Sequence, residues 1–232
     1  MAMYSRETAT DLRVVDQWDG GVGWVAYPDE GGQRASHAVR DDAGDVWVFD
    51  PLDAPGVDDL LAELGAVAGV VVCSDYHARD ADALADRHEV AVHVPDCLDR
   101  VAERTTAPVA SVDAAVAGFE FTHVRPLHAW NETVAYRERD GTLYVPDYCS
   151  SHAKFTVGDE RLGFPTFTRL SPPKSVFDGM TPERILFGHG EGVFEDAGTR
   201  LADSLSGARR RFPRALVTNL PGELRAMLGA FR

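Results

Sequence analysis

Two periodicities alternate along this chain: a two-residue alternation in short apolar segments, and a helical spacing in the stretches between them. Leu12 to Trp18 and Gly23 to Tyr27 are predicted as an opening antiparallel pair, turned at Asp19-Gly20-Gly21. Ala38-Val39 and Val46 to Phe49 read as a second hairpin across the turn-rich Asp41-Asp42-Ala43-Gly44-Asp45. Val57 to Leu64 has helical spacing, with Asp53 or Pro55 near its start. A strand over 69–73 leads to a helix from Ala81 through Asp86, then a short strand at Val90-Ala91-Val92 and a helix from Asp96 to Glu103. Phe119 to Val124, Thr133 to Arg137 and Thr142 to Val145 form a second run of strands, with Asp140-Gly141 as a hairpin turn. Ile185 to Phe187 is one more strand, followed by a helix from about Asp196 to Arg211.

Strands and helices recur in each half, an order that suits two sheets packed face to face with helices outside. No short-period repeat, low-complexity tract or Pro/Gly/Ser-rich linker divides the chain, and 232 residues suffice for one large α/β domain over 1–232. The segment Tyr148 to Pro182 has little periodicity and carries Gly163-Phe164-Pro165 and Ser171-Pro172-Pro173. An irregular stretch of that length is either a lid or an interface, and a homodimer is left open.

Composition narrows the class without naming a function. Hydrophobic residues at 44% and charged residues at 26% are those of an ordinary globular protein. No apolar run approaches the ~20 residues needed to span a bilayer. The opening Met1-Ala-Met-Tyr-Ser-Arg-Glu-Thr lacks the apolar core of a signal peptide, which predicts a cytoplasmic protein. Cys73, Cys97 and Cys149 are scattered without CxxC spacing, against a thiolate zinc site or a disulfide framework. The formal net charge is −14, and the only lysines are Lys154 and Lys174. An acidic surface normally repels nucleic acid and anionic membrane, and neither is expected as a partner. The favoured reading of the charge is adaptation to a salt-loaded cytoplasm, where carboxylates stay hydrated and salt screens their repulsion, and on that reading net charge says little about the partner.

The chemistry gathers at four places. Asp75-Tyr76-His77-Ala78-Arg79-Asp80 directly follows the apolar Val70-Val71-Val72-Cys73. Closely spaced His and Asp at the end of a buried strand are held by the sheet while open to solvent, a natural metal-site layout. Leu127-His128, Val145-Pro146-Asp147 and Phe187-Gly188-His189-Gly190 supply further ligand types in similar settings. In order and spacing these segments resemble the metallo-β-lactamase superfamily, from roughly Trp24 to Arg211. That family reads His-x-His-x-Asp-His after a strand, then a His, a bridging Asp after a strand, and a final His in a Gly-rich turn. The resemblance implies an αββα sandwich with metal ligands at one edge.

Carried over position by position, the resemblance makes His77 the second His of the motif, His128 the mid-chain His, Asp147 the bridging Asp and His189 the final His. Asp50, after the strand Val46 to Phe49, matches an Asp that supports the site without ligating. Three positions of the first motif depart from the pattern. Asp75 stands where the first His belongs, either as a carboxylate ligand or as a turn-forming Asp. Asp80 stands at the last His, either as a ligand or as the N-cap of the next helix. Arg79 replaces the motif's Asp, and a guanidinium has no lone pair to offer a cation. Arg79 is therefore expected to fill the second metal's space, paired with Asp80 or Asp147, unless it merely points to solvent at the helix start.

The implied cofactor is one divalent metal, with zinc expected and iron or manganese acceptable. The implied activity is hydrolysis of a small ester, lactone or thioester, with Asp147 on the metal or its water and Arg79 binding a substrate anion. The alternative is a non-catalytic member of the fold with a degenerate site, acting as a binding or structural protein and needing no metal.

Overall fold

The computed structural model describes residues 3–5, 7–112 and 115–230. Two mixed sheets carry the strands. The first has seven strands in chain order: β1 (Arg13–Trp18), β2 (Gly21–Val25), β3 (Ala35–Arg40), β4 (Val46–Phe49), β5 (Val67–Val71), β6 (Val92–Val94) and β7 (Val109–Ser111). The pairs from β1 to β4 are antiparallel, and those from β4 to β7 are parallel. The second sheet has four strands ordered β11-β10-β9-β8: β8 (Glu120–Val124), β9 (Glu132–Arg137), β10 (Thr142–Val145) and β11 (Arg184–Phe187). In it β10 and β11 run parallel, and the other pairs are antiparallel.

Strand alternation sorts the side chains into three apolar layers. Val71 and Cys73 turn inward with Val39 and Phe49, where they meet Ala135, Tyr144 and Leu186 of the second sheet and Phe119 just before it. Their neighbours Val70 and Val72 turn outward, onto Val57 and Leu61 of α1 (Val57–Leu64) and Leu84 and Ala85 of α2 (Ala81–His88). On the far side Leu143, Val145, Ile185 and Phe187 pack against Ala197 and Leu201 of α4 (Ala197–Thr218). Period-two patterning thus gives helix, sheet, sheet and helix as successive layers. Among the described residues no helix is long and apolar enough to cross a membrane.

Several elements differ from their sequence expectation. The strand expected at Val90 begins at Val92 because Val90 still closes the helix end, its amide donating to Ala85 O at 3.0 Å. The helix expected from Asp96 to Glu103 shrinks to α3 (Asp99–Ala102). Strand β7 and the terminal helix α5 (Leu220–Ala230) were not anticipated. Helix α4 continues through Pro213 to Thr218, because its face is buried on both sides of the proline, at Ala208 and Ala215.

The sheets are also joined edge to edge near the ends of the parallel strands. Thr133 donates its amide to Cys73 O at 2.8 Å, and Asp75 donates to Asn131 O at 3.0 Å. On the other side Ala35 donates to Gly188 O at 2.9 Å. This seam is where the candidate ligands meet.

Candidate metal centre

His77, Asp147 and His189 converge just beyond the carboxyl ends of β5, β10 and β11. One ligand atom from each lies within 4.8 Å of the others, the one such group among the described residues. His77 comes from the seven-stranded sheet, Asp147 and His189 from the four-stranded one. Asp147 Oδ2 lies 3.2 Å from His77 Nε2, and Asp147 Oδ1 lies 3.1 Å from His189 Nε2.

Each imidazole is oriented by its other nitrogen. His189 Nδ1 lies 2.7 Å from the carbonyl oxygen of Gly32, which can only accept, so Nδ1 carries the proton. His77 Nδ1 lies 2.7 Å from Asp50 Oδ2. Asp50 is fully buried, and takes two further hydrogen bonds, from Tyr144 Oη at 2.6 Å and the Cys73 amide at 2.7 Å. With both Nδ1 atoms engaged, both Nε2 atoms are turned to Asp147. Gly188 makes room for this, since a Cβ there would sit 2.7 Å from both His77 Cε1 and Pro146 O.

The electrostatics differ between the two imidazoles. Burial lowers the His189 pKa, outweighing the carboxylate of Asp147 beside it, which favours neutral imidazole. Burial pushes the Asp147 carboxyl up, but His77 and His189 outdo it and hold the group well below the usual range. At 3.1 Å His189 Nε2 and Asp147 are close enough to share a proton or to bind one metal ion together. Two ligands of one ion at ~2.1 Å, set about 90–110° apart, are about 3.0–3.4 Å from each other. Each imidazole stands at such a spacing from one oxygen of Asp147, and two imidazoles with a carboxylate are a donor set that suits a divalent ion.

The remaining expected ligands lie outside this group. His128 sits on a 3-10 turn (Pro126–His128), where positive φ values of 50° at Leu127 and 56° at His128 swing its side chain into solvent. Asp75 is buried but faces the adjoining loop, its Oδ2 accepting from the Asn131 amide at 3.0 Å and from Asn131 Nδ2 at 3.2 Å. Asp80 stands at the start of α2 without a side-chain capping bond. Its Oδ2 accepts instead from the Asp53 amide at 2.8 Å. One carboxylate oxygen of each aspartate is thus taken by a partner distant in sequence, Asp75 Oδ1 is buried without a partner, and Asp75, Asp80 and His128 stand outside the triad.

Arg79 does turn into the site, with partners other than those expected. Its Nη1 donates to Ala35 O at 2.6 Å and Asp50 O at 2.8 Å. Its Nη2 reaches Gly188 O at 3.0 Å and His77 Nε2 at 3.2 Å. Neither Asp80 nor Asp147 pairs with it, because the three carbonyls already surround the guanidinium. All four terminal N–H groups have protein acceptors, and Nε is buried without a partner.

Two further residues carry no motif signal. Glu132 is fully buried at the seam, accepting from the Tyr148 amide at 2.8 Å and from Trp130 Nε1 at 2.7 Å. Burial, and after it the charge of Asp147, pushes its pKa up to about 8. An acid opening a strand whose middle is apolar was the one available clue. Tyr4 lies edge-on to His189, with ring centroids 6.3 Å apart, and burial with Asp147 nearby pushes its phenol up to about 12. Gly32 admits it: a Cβ there would be 2.6 Å from the Tyr4 ring.

Solved structures share this architecture. A DIM-1 metallo-β-lactamase exposed to ceftazidime aligns over 88% of this chain and 99% of its own, with TM-score 0.62 and 12% identity. TMB-1 aligns over 85% and 98%, with TM-score 0.59 and 12% identity. A metallo-β-lactamase from Pontibacter korlensis covers 86% and 99%, with TM-score 0.58 and 14% identity. No family model and no curated protein sequence matches the chain. The chain therefore has the metallo-β-lactamase fold, an αββα sandwich, with a candidate metal triad at the edge where its two sheets meet.

Proposed function

We propose that this chain is a mononuclear metal-dependent hydrolase of a small ester, lactone or thioester. The observation that carries this reading is the convergence of His77 Nε2, Asp147 and His189 Nε2, with each ring locked from behind by Asp50 or Gly32. The proposed ion is zinc, which takes two imidazoles and a carboxylate readily, with iron or manganese acceptable to the same donors. Such an ion lowers the pKa of a water toward ~7 and polarises an acyl oxygen.

The chain's own contribution is orientation. Asp50 fixes the His77 tautomer, with Tyr144 and the Cys73 amide fixing Asp50 in turn. Asp147 also takes a hydrogen bond from Ser74 Oγ at 3.3 Å, which limits its rotation. Tyr4 covers His189 and keeps water from its ring.

A second reading, a non-catalytic binding or structural protein, is favoured by one contact. That is the Arg79 Nη2 to His77 Nε2 approach of 3.2 Å, which engages a ligand nitrogen without a metal. Elemental analysis of protein purified without chelators or affinity-tag metal separates the two, run beside hydrolysis of p-nitrophenyl acetate, a γ-lactone and an S-acyl thioester. The hydrolase reading expects one ion per chain and a hydrolysis lost in His189→Ala. Two tightly bound ions refute the mononuclear assignment, and absence of metal under every loading condition favours the second reading.

A further inference from the structure

We propose that Arg79 is a tethered cation that competes with the divalent ion for His77, so that ion binding requires the guanidinium to leave His77 Nε2. The inference rests on the metal reading above and specifies how that site is regulated. Three observations converge on it. Arg79 keeps its charge at any working pH and cannot ligate. Its Nη2 lies 3.2 Å from His77 Nε2, the same atom that lies 3.2 Å from Asp147 Oδ2. The opposite ring nitrogen is held by Asp50 at 2.7 Å, so His77 has no second lone pair with which to serve both cations.

The guanidinium is not placed there by chance. The carbonyls of Ala35, Asp50 and Gly188, from three separate chain segments, form a cradle that accepts three of its N–H groups. Arg79 itself adopts φ 43°, a conformation uncommon outside glycine, which directs the side chain back into the seam. A dication on His77 would be a neighbour of this charge in a buried setting, where repulsion is poorly screened. Occupancy therefore depends on breaking the Arg79–His77 contact, which makes the apparent affinity weaker than the triad alone would give.

A purely structural brace would use the same three carbonyls, so the test must read the ion and not stability alone. Chelator-treated full-length wild type and Arg79→Met are titrated with zinc, and with cobalt(II) for its visible absorption. Arg79→Gln, which retains a side-chain amide for the carbonyls, serves if the methionine variant does not fold by circular dichroism. The proposal expects one ion per chain in both proteins and an affinity at least tenfold higher without Arg79. It also expects the 15N shift of His77 Nε2 in the metal-free chain to change on substitution. Equal affinities within twofold, with one ion bound by each, overturn the competition while leaving the metal site standing. Absence of zinc and cobalt binding in wild type and in both variants overturns the metal reading itself.

Discussion

Changing Asp50 to asparagine isolates the support behind His77. The carboxylate accepts three hydrogen bonds, from the Cys73 amide, His77 Nδ1 and Tyr144 Oη. An amide must turn its NH2 to one side. Facing Cys73 it would meet a backbone N–H that has no other role. On the other side it meets two groups that can reverse, since a tyrosine hydroxyl can accept and neutral imidazole can move its proton. Asp50→Asn is therefore expected to keep its oxygen on Cys73 and to shift the His77 proton to Nε2, removing the lone pair aimed at Asp147. Exchanging three charge-assisted bonds for neutral ones costs about 1 kcal/mol each. Relief of a buried charge offsets part of this, leaving a net loss of about 2 kcal/mol. Zinc affinity is expected to fall about 10- to 100-fold, the usual range for losing a ligand's orienting partner. Urea denaturation measures the first quantity, zinc titration the second, and 15N NMR of the imidazole reads the tautomer. Unchanged zinc affinity together with a proton still on Nδ1 would refute the reasoning, whatever the stability.

Other outcomes follow from the same geometry. Burial and Arg79 push the His77 pKa down, but Asp147 and Asp50 raise it further, to about 8 from an ordinary 6.5. A folded value above the unfolded one gives stability that is full below about pH 6.5 and lost by about pH 8, up to about 2 kcal/mol in the metal-free chain. Glu132, also raised to about 8, loses stability in the same direction, so the urea midpoint should drop between pH 6 and pH 8.5; a rise would contradict both assignments. Gly188→Ala should weaken zinc binding at least tenfold, because the added Cβ overlaps His77 Cε1 and Pro146 O. His128→Ala should leave zinc stoichiometry and affinity unchanged, as its side chain is exposed on the turn; a lost ion would restore it as a ligand. With −14 net charge and two lysines, the melting temperature should climb from low to molar salt. Indifference to salt would remove the case for a halophilic surface.

The architecture was legible because strand alternation and turn chemistry are local: Val70 to Cys73 and Leu143 to Val145 already sort their side chains by face. His77, Asp147 and His189 were legible for a related reason, each standing two to six residues beyond a strand whose end the apolar pattern marks. His128 was not, because its orientation depends on two consecutive left-handed residues that no residue type announces. Asp75 and Asp80 read equally well as ligands or as backbone acceptors, and only the distant partners Asn131 and Asp53 decided between the two. The cradle around Arg79 joins residues 35, 50 and 188, a separation at which spacing says nothing. Tyr4 and Glu132 were hidden similarly, by contacts made only once the layers pack.

The division of the triad between the two sheets has a mechanical consequence. One residue of slip between the layers is ~3.3 Å, about as long as the contacts of 3.1 and 3.2 Å that Asp147 makes to the two histidines. The three side chains thus behave as a vernier on the sandwich, reading its alignment to a fraction of one residue. A core substitution between the sheets, at Phe49 or Leu186 for example, would register there as misalignment well before either sheet lost a strand.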